Sequence, residues 1–144
     1  MKPNAIRPLA ICLFSRNGRI LAAEGYDPTK QQPFYRPLGG AIEFGETSAG
    51  TIVRELREEL DAVVVDLRYL GTLENIFIYD GRPGHEIVLV YDGRFADESL
   101  YDAPALDGHE DSGLAFRAVW LEISTLRRAD APPIYPDGVL DLLP

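Results

Sequence analysis

Glu55, Glu58 and Glu59 fall at i, i+3 and i+4 within Ser48 to Leu60, a segment whose apolar residues recur with helical spacing. At about 100° per residue the three carboxylates project into one sector of such a helix. Carboxylates held that close repel one another unless a positive charge sits among them, and hard divalent cations prefer oxygen donors of this kind. The competing account is a solvated helix face laced with Glu–Arg pairs. Arg54 lies one turn before Glu58, where it can orient or partly neutralise that carboxylate or simply form a surface salt bridge.

Other chemistries have little to draw on. His85 and His109 lack ligand spacing with each other and have no cysteine partner nearby, so a zinc site is not expected. The single cysteine, Cys12, lies in an apolar run and reads as a small core residue. The chain has neither a Gly-x-Ser-x-Gly elbow nor a Walker loop. A formal charge of -9 and a pI near 4.6 argue against broad binding to nucleic acid or an anionic membrane. An acidic protein can still bind phosphates through local arginines or bound metal. With no apolar stretch long enough to span a bilayer, the expectation is a cytoplasmic protein.

The elements that must position these groups follow from periodicity and turn signals. The 144 residues, 46% of them hydrophobic, suffice for one domain over residues 1–144. Ile6 to Phe14 and Arg19 to Ala23 read as strands around an Asn17-Gly18 primed turn, followed by a loop from Glu24 to Pro33. A short extended stretch, Phe34 to Leu38, leads to Gly39-Gly40, a pair suited to a tight turn or to close approach of backbone to a ligand. Thr47 then caps the helix. Its buried stripe is expected to be Ala49, Ile52, Val53, Leu56 and Leu60, with the carboxylates opposite, and Gly50 suggests a close backbone contact. Strands follow at Val63 to Asp66, Tyr69 to Tyr79, Glu86 to Phe95 and Ala115 to Leu121, with a loop over Ala96 to Gly113 and a short helix near Pro136 to Leu142. The class is α+β with a mixed sheet.

Upstream of the helix, Gly40 is followed after five residues by Glu46, and after seven more by Arg54-Glu55-Leu56-Arg57-Glu58-Glu59. At average residue usage the six fixed matches to this pattern arise by chance on the order of once in ten million windows. The stretch resembles the box of the Nudix hydrolase family, and the flanking Pro37-Leu38-Gly39-Gly40 and Glu43-Phe44-Gly45-Glu46 are similar to those of MutT-like members. The match covers Gly40 to Ala62, about a sixth of the chain, and departs at Asp61, where the family has a glycine and the backbone is expected to be left-handed.

The resemblance implies a Nudix fold, a mixed sheet sandwiched between helices, and hydrolysis of a pyrophosphate bond in a nucleoside diphosphate-linked substrate. It implies magnesium, for which manganese could substitute, bound by Glu58, Glu59 and the Gly39 carbonyl. Glu55 would be a metal ligand or the base that activates water, Glu46 a supporting carboxylate, and Arg54 the residue that holds a box glutamate in place. Family members often add a carboxylate from a loop before the last strand of the sheet, for which Glu110 is the candidate and Glu86 its competitor. The expected partner is a small nucleotide, a nucleoside triphosphate or an ADP-ribose-type molecule, and a homodimer is left open. The alternative is a Nudix-fold module that binds a nucleotide or regulates without turnover. Tyr26, Phe34, Tyr35, Phe77, Tyr79 and Trp120 could stack a base or pack the core, and Arg7, Arg36 and Arg82 could contact phosphates or solvent.

Overall fold

The computed structural model describes residues 4–144. Two sheets share the core. The first has the order β5(Leu38–Ala41)-β1(Ile6–Leu13)-β7(Arg82–Phe95)-β6(Val64–Tyr79) and is mixed, because β1 runs parallel to β7 and antiparallel to β5. The second has the order β2(Ser15–Arg16)-β3(Arg19–Asp27)-β9(Ala115–Glu122)-β8(Ala105–His109), with β4(Gln32–Arg36) paired to β3. The helix α1(Ser48–Leu60) packs against β5 and β1 of the first sheet and β8 of the second. Alternation along β1 divides the core. Ala10 and Cys12 join Phe14, Leu21, Ile52, Leu56, Phe95 and Ala118 between the helix and the sheets. Ile11 and Leu13 face the other way and meet Val88, Val90, Leu126 and Val139, where α2(Ile123–Leu126) and the 3-10 turn Val139–Leu142 close that face.

The expected helix has the observed bounds. Thr47 accepts a hydrogen bond from Gly50 N at 3.1 Å, while the close backbone contact expected at Gly50 is absent, a Cβ there meeting only side-chain atoms of Thr47 and Glu46; Asp61 caps the other end in a left-handed conformation at φ 52°, ψ 38°. Its orientation differs from expectation. Val53 is 48% exposed, whereas Thr51 and Glu55 are buried beside Ile52 and Leu56. The acidic stripe adjoins the apolar one, because Glu59 and Ile52 are seven residues apart and project within about 20° of each other.

Other departures come from pairing between distant segments. The Asn17-Gly18 turn is present, with φ of 54° and 77°, but it joins β3 to the two-residue β2, because β1 is already paired on both edges within the other sheet. β3 continues through Asp27 into the expected loop. The β6–β7 hairpin closes tightly at Asp80-Gly81, with φ of 50° and 74°, so Arg82 to Gly84 belong to a strand. The separate strands expected at residues 63–66 and 69–79 are one strand with two irregularities of register. Within the expected loop from 96 to 113 lie the 3-10 turn Glu98–Tyr101 and β8, and the C-terminal segment makes a single 3-10 turn instead of a helix.

Candidate active site

The loop between β5 and α1 is tied to the helix through Arg54. Its Nε and one terminal nitrogen grip both oxygens of Glu46, at 2.7 and 2.9 Å, and that same terminal nitrogen donates to the Ala41 carbonyl at 3.1 Å. The other terminal nitrogen donates to Glu55 at 2.9 Å and Glu58 at 3.3 Å. This planar fork holds three carboxylates in one arrangement, which a lysine could not reproduce. Glu46 also accepts from the Thr51 hydroxyl at 2.6 Å. The Arg54 guanidinium, then the Thr51 hydroxyl, hold the Glu46 carboxyl down at about 2, while Glu46 in return raises Arg54 above its ordinary value.

Glu55 is 3% exposed. The backbone makes room for it at Gly40, where a Cβ would sit 2.5 Å from the Glu55 carboxyl carbon. Gly39 is constrained from the other side: its φ is 154° and a Cβ would lie 2.1 Å from the Ala10 carbonyl oxygen. Burial, more than any neighbouring charge, raises the Glu55 and Glu59 carboxyls together, so the pair favours holding a proton between them when no cation is near. The Glu59 Oε1 is buried with no hydrogen-bond partner.

The second sheet contributes across this site. Gly108 of β8 passes so close to the end of α1 that a Cβ would lie 2.6 Å from the Glu59 carbonyl oxygen. The β8–β9 hairpin, closed by hydrogen bonds between Glu110 and both Leu114 and Gly113, is thereby brought over the helix carboxylates. Oxygens of Glu55, Glu58 and Asp111 lie within 4.8 Å of one another. Glu110 instead pairs with Arg36. Sequence reasoning named Glu110 and passed over its neighbour Asp111; packing decides which of the two side chains turns toward the helix.

Beside the carboxylates opens a cleft of about 480 Å³, whose lining includes Gly39, Gly40, Glu59 and Arg36. Of the aromatic candidates, Phe34, Phe77 and Tyr79 line it, together with Tyr135 and Phe116, which the sequence reading did not single out. Trp120 stacks on Tyr101 and donates to the Leu100 carbonyl at 3.2 Å, Tyr35 packs on the second core cluster, and Tyr26 is 54% exposed. Arg7 and Arg36 line the cleft, whereas Arg82 is exposed on the β6–β7 hairpin. Glu86 and Val88 both face it, as strand alternation requires. No helix among the described residues is long and apolar enough to cross a membrane.

The comparisons agree with this geometry. The profile of the NUDIX domain matches residues 5–141. The chain is 34% identical over 67 residues to the NAD-capped RNA hydrolase NudC of Pseudomonas aeruginosa, a match covering 46% of this chain and 23% of that protein. The matched segment thus spans less than a quarter of that relative's length. In fold it is similar to a MutT NUDIX hydrolase from Burkholderia pseudomallei, with a TM-score of 0.65 and 18% identity over 98% of this chain and 100% of the other. It is similar also to an ADP compounds hydrolase, with a TM-score of 0.58 and 17% identity over 99% and 72%. A four-stranded mixed sheet, a capped glutamate helix locked by Arg54 and a match over nearly the whole chain lead to one assignment: the protein belongs to the NUDIX domain family.

Proposed function

We propose that the chain hydrolyses a phosphoanhydride bond of a small nucleotide, a nucleoside triphosphate or an ADP-ribose-type diphosphate, with magnesium or manganese bound at the α1 carboxylates. The observation that carries this reading is the convergence of Glu55 and Glu58 from α1 with Asp111 from the β8–β9 hairpin, next to a buried Glu59 oxygen without a partner. An all-oxygen donor set of this charge suits a hard divalent cation. Glu58, Glu59, Glu55 and the Gly39 carbonyl would hold it, with the hairpin carboxylate at Asp111 or Glu110 completing the set. When bound, the ion supplies neutralisation of the diphosphate and activation of water.

The protein's own residues do the rest. Arg54 and Glu46 are positioning residues that hold Glu55 and Glu58 in one arrangement beside Glu59. Glu55 serves either as a ligand or as the acceptor of the attacking water's proton. Arg36 lines the cleft beside Glu110 and can meet the substrate's phosphates. The test is a panel of nucleoside triphosphates and nucleoside diphosphate sugars with magnesium, read as phosphate or pyrophosphate release. Turnover of at least one, abolished by excess EDTA, is expected. Tight nucleotide binding with no turnover of any would favour the non-catalytic module.

A further inference from the structure

The floor of the cleft is laid out in rows by strand register. Arg7 of β1 is paired with Glu86 of β7, and Glu86 with Asn75 of β6, so these three polar side chains form a transverse row and all line the cleft. Two residues further along β6–β7, on the same face, Phe77 is paired with Gly84 and lies flat over it, so that a Cβ on Gly84 would be 2.3 Å from the ring. The second sheet repeats this device at Gly25 and Phe34, where a Cβ would be 2.5 Å from the ring. Each sheet thus offers a flattened phenyl ring to the same cleft, a surface on which a planar group can stack.

The polar row has hydrogen-bonding capacity to spare. Asn75 Nδ2 donates to Glu86 Oε1 at 3.2 Å, and because an ionised carboxylate only accepts, the Asn75 oxygen must be the free atom. Asn75 is 9% exposed. Arg7 approaches Glu86 Oε2 only to 3.7 Å, beyond hydrogen-bond distance, and its buried Nε has no partner. Read from β1 to β6, the row presents donor, acceptor, acceptor. The Watson–Crick edge of guanine presents the complement: the O6 acceptor, the N1 proton and the N2 amino group. Uracil matches two of the three, while adenine and cytosine each set an acceptor against Glu86. Along β1, Arg7 stands three residues from Ala10, the partner of Gly40, which is about 10 Å at strand rise. An extended nucleoside diphosphate can bridge that distance from base to carboxylate cluster.

We infer that Arg7, Glu86 and Asn75 are specificity-determining residues that select a guanine nucleotide, its base stacked on Phe77. This rests on the pyrophosphohydrolase reading for the use of the site, but not for its test. Calorimetric titration of the wild-type protein with GMP, AMP, CMP, UMP and IMP in EDTA measures base choice without turnover. GMP should bind at least about ten-fold more tightly than AMP, CMP or UMP, and IMP, which lacks the N2 amino group, about ten-fold more weakly than GMP. Glu86→Gln should erase the preference for GMP. Asn75→Leu, a second variant in case the first fails to fold, should bind GMP and IMP equally. AMP binding as tightly as GMP, no measurable binding of any of them, or a GMP preference unchanged in a folded variant would overturn the inference. The substrate panel is independent of it: turnover without base preference leaves the proposed function standing, and GMP preference without turnover leaves this inference standing.

Discussion

Each box carboxylate faces a different local balance of burial and charge. Glu58 is half-exposed, and its main neighbours are other carboxylates and Arg54. Glu58→Gln should therefore lower turnover on the order of 100-fold while leaving the melting temperature in chelator unchanged or slightly higher, because the substitution relieves repulsion. Near-normal turnover would return the cluster to an ordinary solvated face. Glu55→Gln separates two roles through a magnesium titration: loss of a ligand raises the magnesium needed for half-maximal rate, whereas loss of a base lowers the rate at saturating magnesium. Glu46 makes a pH-dependent contribution. Its carboxyl is depressed from 4.5 to about 2, so the stability it confers is complete above about 4.5 and is lost as pH falls toward 2. The melting temperature of wild type should exceed that of Glu46→Gln at neutral pH, and the gap should narrow below pH 4.5 and close near 2. A gap constant with pH would show that Glu46 acts through packing instead of charge.

At the scale of elements, the site depends on how the ends of α1 are finished. Asp61 occupies a left-handed cap that glycine adopts without strain, and its ion pair with Arg57 is solvent-exposed. Asp61→Gly should accordingly raise the melting temperature by about 2–4 °C, corresponding to up to about 1 kcal/mol, with unchanged turnover. Gly108 has the opposite sensitivity. A methyl there meets the Glu59 carbonyl oxygen at 2.6 Å, part of the backbone of a helix that cannot easily give way. Gly108→Ala should cost about 1–3 kcal/mol. It should also raise the magnesium requirement, since displacing β8 carries Asp111 away from the helix. Equal stability and an unchanged magnesium titration would show that the hairpin is not held by this contact.

Across the whole molecule, two sheets and a helix brace a cluster of carboxylates that repel one another, so a cation should stabilise the native state by binding it selectively. Magnesium at about 100 times its dissociation constant should contribute roughly 2.7 kcal/mol and raise the melting temperature in calorimetry. The fold should persist in EDTA, because among the described residues the only buried ionic side chains are Glu55 and Asp27, and both core clusters are apolar. No thermal shift with magnesium or manganese, in a protein that turns over, would contradict the site. Much of this was legible in residue order alone. The helix bounds, the Thr47 and Asp61 caps, the Asn17-Gly18 turn and the crowding of Glu55, Glu58 and Glu59 follow from the 3.6-residue period and from local backbone preferences, which operate within a few residues. Tertiary structure alone decided the rest: that Glu55 is buried beside Ile52, that β1 and β3 part into different sheets, that Asp111 meets the helix while Glu110 pairs with Arg36, and that Arg7, Glu86 and Asn75 form one row. Each of these depends on contacts between segments distant in sequence, the enclosure of Glu55 against Gly40 included, set by strand register and by what the core can enclose, and no local periodicity records which distant partner a residue will meet.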